Sequence, residues 1–341
     1  MSTSGQRVLV TGGAGFIGAG LSVALAERHP GWEIVALDSL VRRGSELNLA
    51  RLRDAGVTFV HGDVRVPGDL AACGPIDALV ECSAEPSVLA GSDGSTAFAV
   101  HTNILGAYHC LELARAHGAH VVFLSTSRVY PTARLRALAV EEADTRFELA
   151  AEQPPGASAA GIAEDMPLDG PRTLYGTTKL AAELLIAEYR EMFGLSAVVD
   201  RCGVVAGPWQ MGRLDQGVFT WWLLAHHFER ELAYIGFGGS GKQVRDLLHV
   251  ADLVDLVERQ LVDREAWDGQ VVNVGGGREG SLSLLEASAL CAELTGREPR
   301  WRTEPVERPG DIPVYLSDCS RLYGLTDWRA RRTPRETLAD T

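Results

Sequence analysis

Short apolar runs that end in glycine or an acid alternate along this chain with longer stretches whose apolar residues recur every three to four positions. Residues 7–11 (RVLVT) form a β-branched run that ends in glycines, residues 16–28 have helical spacing, and residues 33–38 (EIVALD) form a second run ending in an acid. Further strand-like runs lie at 57–61 (VTFVH), 76–82 (IDALVEC), 120–125 (HVVFLS) and 196–201 (SAVVDR), with helical spacing at 96–117 and 175–193. Apolar strands alternating with helices predict a parallel sheet covered on both faces. The Ala/Pro/Gly-rich stretch 150–162 reads as a surface excursion, because the strand-and-helix pattern resumes after it.

Past residue 201 the pattern is less regular. Trp209, Trp221 and Trp222 fall there, followed by a glycine-rich turn at 236–241. These features predict two lobes. Residues 1–201 and 242–278 form a doubly wound parallel Rossmann-type domain, and 202–241 with 279–341 form a smaller, discontinuous α/β lobe. Trp221 and Trp222 sit in an apolar helix and read as packing. His249 reads as a core or helix-start residue.

The 341 residues carry a formal net charge of -13, with 46% apolar and 23% charged residues. That balance argues against nucleic acid as a partner, since phosphate backbones are bound by basic surfaces. A phosphorylated small molecule remains compatible, through locally placed arginines and helix N-termini. No apolar run spans a membrane. The six cysteines form no C-x-x-C pair and no zinc spacing, and His226 and His227 lack acidic partners at metal spacing, so no metal is expected. Buried thiols in a reducing compartment make the cytoplasm the default location.

The first chemical signal is TGGAGFIG at 11–18. Gly12, Gly15 and Gly18 follow a strand and open a helix, so that backbone can approach a pyrophosphate and free N–H groups can face it. Asp38 lies 20 residues after Gly18, at the end of the second strand. A carboxylate there accepts from both adenosine ribose hydroxyls and repels a 2′-phosphate, which favours NAD over NADP. The second signal is YGTTK. Tyr175 and Lys179, four residues apart, share a helix face. A free tyrosine has a pKa of about 10, and a nearby ammonium favours its phenolate. The strand end at 125–130 (STSRVY) adds hydroxyls that can bond a reacting sugar oxygen.

In this order and placement the residues resemble the extended short-chain dehydrogenase/reductase family, the nucleotide-sugar epimerases and dehydratases. The likeness runs through nearly the whole chain, including HGDV at 61–64, TNILGAYHCLELAR at 102–115, GKQVRDLLHVADLV at 241–254 and ERPGDIPVYLSD at 307–318. DSLVRRG at 38–44, LDQGVFTWW at 214–222 and SLSLLE at 281–286 are most similar to the CDP-paratose 2-epimerase branch.

The resemblance implies that Thr126, Tyr175 and Lys179 are catalytic. It implies cofactor contacts from Gly12, Gly15, Phe16, Ile17, Gly18, Asp38, Ser39, Arg43, Asp63, Val64, Ser83, Ala84, Asn103 and Ser125, besides Tyr175 and Lys179. It places Glu85, Ser87, Thr126, Ser127, Arg128, Gln210, Gln216, Gln243, Arg245 and Arg308 at the substrate, with Arg245 and Arg308 on its diphosphate. The implied reaction is epimerisation of a nucleotide-diphosphate sugar, with C2 favoured, by transient oxidation to a ketose and re-reduction on the other face. A C4 epimerase or a 4,6-dehydratase is the alternative, with an inactive NAD-sensing protein behind them. Dehydratases carry an acidic pair after the catalytic threonine, where this chain has Ser127 and Arg128. It also departs from the family at Glu81 and Cys82 (usually His-Leu), Pro131, Leu174 and Ala206. The resemblance further implies a homodimer paired through helices at about 96–117 and 175–193.

Overall fold

In the computed structural model, which describes residues 5–91, 94–212, 216–304 and 310–341, the expected runs become a seven-stranded parallel sheet. Its strands are β1 (Arg7–Thr11), β2 (Glu33–Asp38), β3 (Thr58–His61), β4 (Ala78–Glu81), β5 (His120–Thr126), β6 (Ala197–Cys202) and β7 (Val271–Val274). Their spatial order is β7-β6-β5-β4-β1-β2-β3. Every residue of β4, β5 and β6 is buried, as expected for strands covered on both faces. The doubly wound Rossmann-type reading therefore holds. The order reverses at β1, which pairs in parallel with β2 on one side and β4 on the other. Open α/β sheets bind ligands beyond the carboxyl ends of the strands at such a switch point.

The helices used below are α1 (Phe16–Arg28), α2 (Gly106–His117), α3 (Leu174–Phe193), α4 (Val218–His227), α5 (Val250–Val262) and α6 (Leu284–Thr295). The stretch 96–117 is not one regular helix. Ala97–Val100 leads into a π-helical segment, His101–Leu105, before α2 begins. Such wide turns gather at functional sites, and this one carries the buried Asn103.

The chain divides into two compact units. One holds Met1–Ser125, Thr177–Asp200 and Val254–Val271; the other holds Thr126–Gly176, Arg201–Leu253 and Val272–Thr341. These limits differ from the expected lobes, in which 126–176 and 242–253 belong with the Rossmann domain. Backbone pairing is the reason. Phe147 N donates to Lys242 O at 2.9 Å, Ile162 N to Leu316 O at 2.8 Å and Asp318 N to Ile162 O at 2.9 Å. The 150–162 excursion thus contains a short antiparallel ladder, Ala157–Ser158 with Gly161–Ile162, which is stitched into the second unit.

The core of the first unit packs Leu9, Val35, Leu37 and Phe123 of the strands against Leu111 of α2 and Ala182 and Ile186 of α3. The second unit packs Phe219 and Trp222 of α4 against Leu247, Ala287 and Cys291. Trp222 is buried, and its Nε1 donates to Ser288 Oγ at 2.9 Å, which fits the packing role expected of it. His249 Nδ1 bonds the Ala251 N–H at 3.0 Å in the first turn of α5, a helix-start role. Among the described residues no helix is long and apolar enough to cross a membrane.

Candidate active site

The first unit builds a cradle at the switch point. Gly12 has φ +62°, and a Cβ there would lie 2.9 Å from the Cys82 carbonyl group at the end of β4. At Gly18 a Cβ would fall 2.2 Å from Gly12 O, so this position also has no room for a side chain. The two approaches fold the loop tightly over the start of α1. That helix is capped by Gly15, with no side-chain cap and no acid in its first turn. Its first N–H groups are left for an anion.

Asp38 closes β2 beside the same loop. Its Oδ1 accepts from Leu40 N at 2.8 Å and its Oδ2 from Ala14 N at 3.1 Å. Burial pushes the Asp38 carboxyl up, and the two backbone donors oppose that. Each oxygen keeps a second lone pair, so the group can still accept from a diol. Leu40 sits in the left-handed region at φ +54°, a strained turn just past the carboxylate that its N–H bonds. The uncapped helix start, the tight glycines and the carboxylate together fit a dinucleotide without a 2′-phosphate.

Lys179, one turn along α3 from Tyr175, is almost fully enclosed in the first unit. Its Nζ lies 3.2 Å from Glu81 Oε2 and 3.8 Å from the centre of the Phe123 ring. Both side chains of the pair are buried, at 2% and 3% exposure. Burial drives the Glu81 carboxyl up, and the Lys179 ammonium holds it down in opposition. The departure from the family at position 81 is thus a buried counter-ion for the candidate catalytic lysine. A charged residue inside an apolar strand run was the available signal, and sequence reasoning passed over it.

Two more expected cofactor residues have their side chains engaged inside the first unit. Asn103 Oδ1 accepts from Glu85 N at 2.8 Å, while its Nδ2 donates to Glu85 O at 3.1 Å and Thr178 Oγ1 at 2.9 Å. Ser125 Oγ donates to Glu183 Oε1, a partner that sequence reasoning also missed. Asp63 is held below the usual carboxylate range by the Arg65 guanidinium, 2.9 Å from Oδ1. Val64 is buried against Gly106, where a Cβ would meet it at 2.7 Å. Ser83 and Ser87 are buried, and Glu85 Oε1 accepts from Ser87 N at 3.2 Å. Phe16, Ile17, Ser39 and Ala84 are half-buried and Arg43 is exposed.

The second unit brings together Thr126, Ser127, Arg128, Tyr175 and Arg245. Thr126 Oγ1 accepts from Arg128 N at 3.2 Å. The first turn of α3 abuts the same segment: a Cβ at Gly176 would come within 2.0 Å of Arg128 O. Tyr175 is half-buried. Ser127, Arg128, Val204, Arg245, Ile312 and Tyr315 line one cavity. The Arg245 fork, expected on a diphosphate, is engaged within the protein. Its Nη2 donates to Asp311 Oδ1 at 2.8 Å and Ile312 O at 2.9 Å, and its Nη1 to Val244 O at 2.7 Å.

Gln210 and Gln243 hold backbone, through Val205 O and Ile235 O, each at 2.9 Å, and Gln210 also bonds Thr220. Gln216 is half-buried just ahead of α4. Arg308 lies outside the described residues.

Comparison with known proteins bears on the family and the fold. Residues 8–275 match the NAD dependent epimerase/dehydratase family. A CDP-paratose 2-epimerase of Salmonella typhi is 29% identical, over 97% of this chain and 96% of that protein. A dTDP-glucose 4,6-dehydratase of Mycolicibacterium smegmatis is 31% identical, over 98% and 92%. Among solved structures, the UDP-glucose 4-epimerase of Thermus thermophilus in complex with NAD superposes with a TM-score of 0.77, at 26% identity over 98% of this chain and 97% of that one. The chain is an enzyme, and it belongs to the NAD dependent epimerase/dehydratase family.

Proposed function

We propose that the protein is an NAD-dependent epimerase of a nucleotide-diphosphate sugar, with C2 as the inverted carbon. The observation that carries this reading is the segment after Thr126. There a dehydratase would present an acidic pair to remove a C5 proton and protonate a departing hydroxyl. Here Ser127 and Arg128 stand instead, and neither is a general acid suited to neutral pH. The likeness to the Salmonella typhi C2 epimerase favours that carbon. The dehydratase relative keeps dehydration as the second reading, with Glu85 and other nearby acids in place of that pair.

In this reading Gly12, Gly15 and Gly18 receive the pyrophosphate and Asp38 the adenosine ribose. Bound there, NAD would supply the reversible hydride acceptor that the transient oxidation of the sugar carbon requires. Tyr175, as phenolate, takes the proton of the reacting hydroxyl and later gives it back. Thr126 bonds the same oxygen. Lys179 favours the phenolate by its charge, and Glu81 keeps that ammonium in place. The chain's free cysteines, five of the six buried, suit a reducing cytoplasm. The exposed Tyr108 of α2 and Leu184, Met192 and Phe193 of α3 suit a homodimer paired through those helices.

The test is a panel of nucleotide sugars in deuterated water, with products read by NMR. An epimer without deuterium at the inverted carbon is expected, and Tyr175→Phe should bind NAD yet turn over at least ~100-fold more slowly. Deuterium at that carbon, or an active Tyr175→Phe enzyme, would refute the mechanism.

A further inference from the structure

Glu81 is a charged residue in a strand whose every residue is buried. It stands in register between Thr11 of β1 and Phe123 of β5. Its Oε2 lies 3.2 Å from Lys179 Nζ, and that ammonium rests 3.8 Å from the centre of the Phe123 ring. All four residues belong to the first unit. An enclosed charge is costly unless it is paired, and the two opposite charges sum to zero. Relatives usually have His at position 81, so this cancellation is a feature of the present chain.

The strand order fixes which half of the cofactor meets this pair. Asp38 closes β2, and the glycine cradle follows β1. With adenosine at β2 and pyrophosphate at β1, the nicotinamide half extends to the other side of β1, over the ends of β4 and β5. The cradle is built against β4: a Cβ at Gly12 would lie 2.9 Å from the carbonyl group of Cys82, the residue after Glu81. Charges at the end of β4 therefore act on that half across one or two strand spacings, roughly 5–10 Å. Oxidised nicotinamide carries a positive charge on its ring and the reduced form does not. An enclosed ammonium alone would penalise the oxidised form; a neutral pair does not.

We infer that Glu81 cancels the Lys179 charge and so shifts cofactor binding toward the oxidised form. Glu81 acts through Lys179 and through space, without touching the sugar, which makes it a positioning residue for charge. Its use rests on the epimerase reading above. A reaction with no net redox change must begin every turnover with the cofactor oxidised, and a site that favoured the reduced form would trap the enzyme whenever a ketose escaped.

The experiment measures displacement of NADH by NAD+, read from NADH fluorescence at pH 6, where an enclosed lysine is favoured as the ammonium. Glu81→Gln should lower the NAD+/NADH affinity ratio roughly 10- to 20-fold, the effect of one charge about 10 Å away at an effective dielectric of about 20. Glu81→Asp keeps the charge and should stay within about threefold of the wild-type ratio. Glu81→Leu with Lys179→Met is neutral again and should return to the same range. Damage to the fold weakens both forms alike and leaves the ratio unmoved, so the ratio separates charge from structure. Equal ratios in wild type and Glu81→Gln, or a double variant shifted as far as Glu81→Gln, would overturn the inference. Wild type decides without any variant if Glu81→Gln does not fold: it should hold NAD+ at least about a tenth as tightly as NADH, and a stronger preference for NADH overturns the inference. Wild type that turns over no nucleotide sugar while the ratios shift as expected would overturn the epimerase reading and leave the role of Glu81 standing.

Discussion

Removing the Glu81 charge should destabilise the first unit as well as disturb Lys179. In Glu81→Gln the carboxylate is lost and the Lys179 ammonium stays enclosed over the Phe123 ring, with only a neutral acceptor nearby. Breaking a buried pair from one side costs about 3–5 kcal/mol, because an uncompensated charge remains. At roughly 2–4 °C per kcal/mol for a domain of this size, the melting temperature should fall by roughly 6–20 °C. Replacing both partners, as Glu81→Leu with Lys179→Met, removes the orphaned charge and should recover most of that loss. The two changes are therefore strongly coupled. Thermal unfolding followed by circular dichroism at pH 7 reads all the variants. Raising the salt to about 0.5 M should leave the ranking intact, since enclosed charges are poorly screened. Glu81→Gln melting within about 2 °C of wild type, or a double variant no better than Glu81→Gln, would refute the argument.

Three further outcomes follow from other sites. Burial raises Asp200 to about 7 against an ordinary 3.8, with the Gln260 bond at 2.8 Å opposing it. The folded chain thus holds an extra proton between those values. This stabilisation is complete below about pH 4 and is lost as pH rises through 7, on the order of 4 kcal/mol in all. Asp200→Asn should flatten that part of the stability–pH curve, and identical slopes in the two proteins would contradict the assignment. Gly18→Ala should weaken NAD at least tenfold in a fluorescence titration, because its Cβ meets Gly12 O at 2.2 Å. Gly31→Ala, with nothing within 4 Å, is the silent control, and equal NAD affinities in the two variants would speak against the cradle. Gly176→Ala should cut turnover more than NAD affinity, since it pushes on Arg128 O in the second unit; unchanged turnover would show that the contact is not needed.

The sheet was legible because its strands are nearly continuous apolar runs of the length that a doubly covered sheet requires. β1 and β2 match the expected runs residue for residue. The π-helical segment at His101–Leu105 was not, because the apolar spacing on either side of it is that of an ordinary helix. The compact units differ from the expected lobes for another reason. Residues 140–164 join the second unit through backbone hydrogen bonds and through side-chain ties to distant partners, such as Lys242 to Glu142 and Thr145 to Glu286, which no local pattern reveals. At the candidate site, residue types at fixed spacing (Gly12, Gly18, Asp38, Tyr175, Lys179) could be read from the chain. Their counterparts far along it could not: Glu81 for Lys179, Glu183 for Ser125 and Asp311 for Arg245 are set by tertiary packing alone.

α3 carries Tyr175, Lys179 and Glu183 at successive intervals of four, a single stripe along a 20-residue rod. Two of them answer to different fixed points, Lys179 to Glu81 on β4 and Glu183 to Ser125 on β5. Inserting or deleting one residue between 175 and 183 would swing the downstream part of the stripe by about 100° and separate it from its anchor. Lineages of this chain can therefore change letters along the rod but not its count. Length variation should collect instead in the surface turns, making the span 175–183 a reliable yardstick for aligning distant homologues.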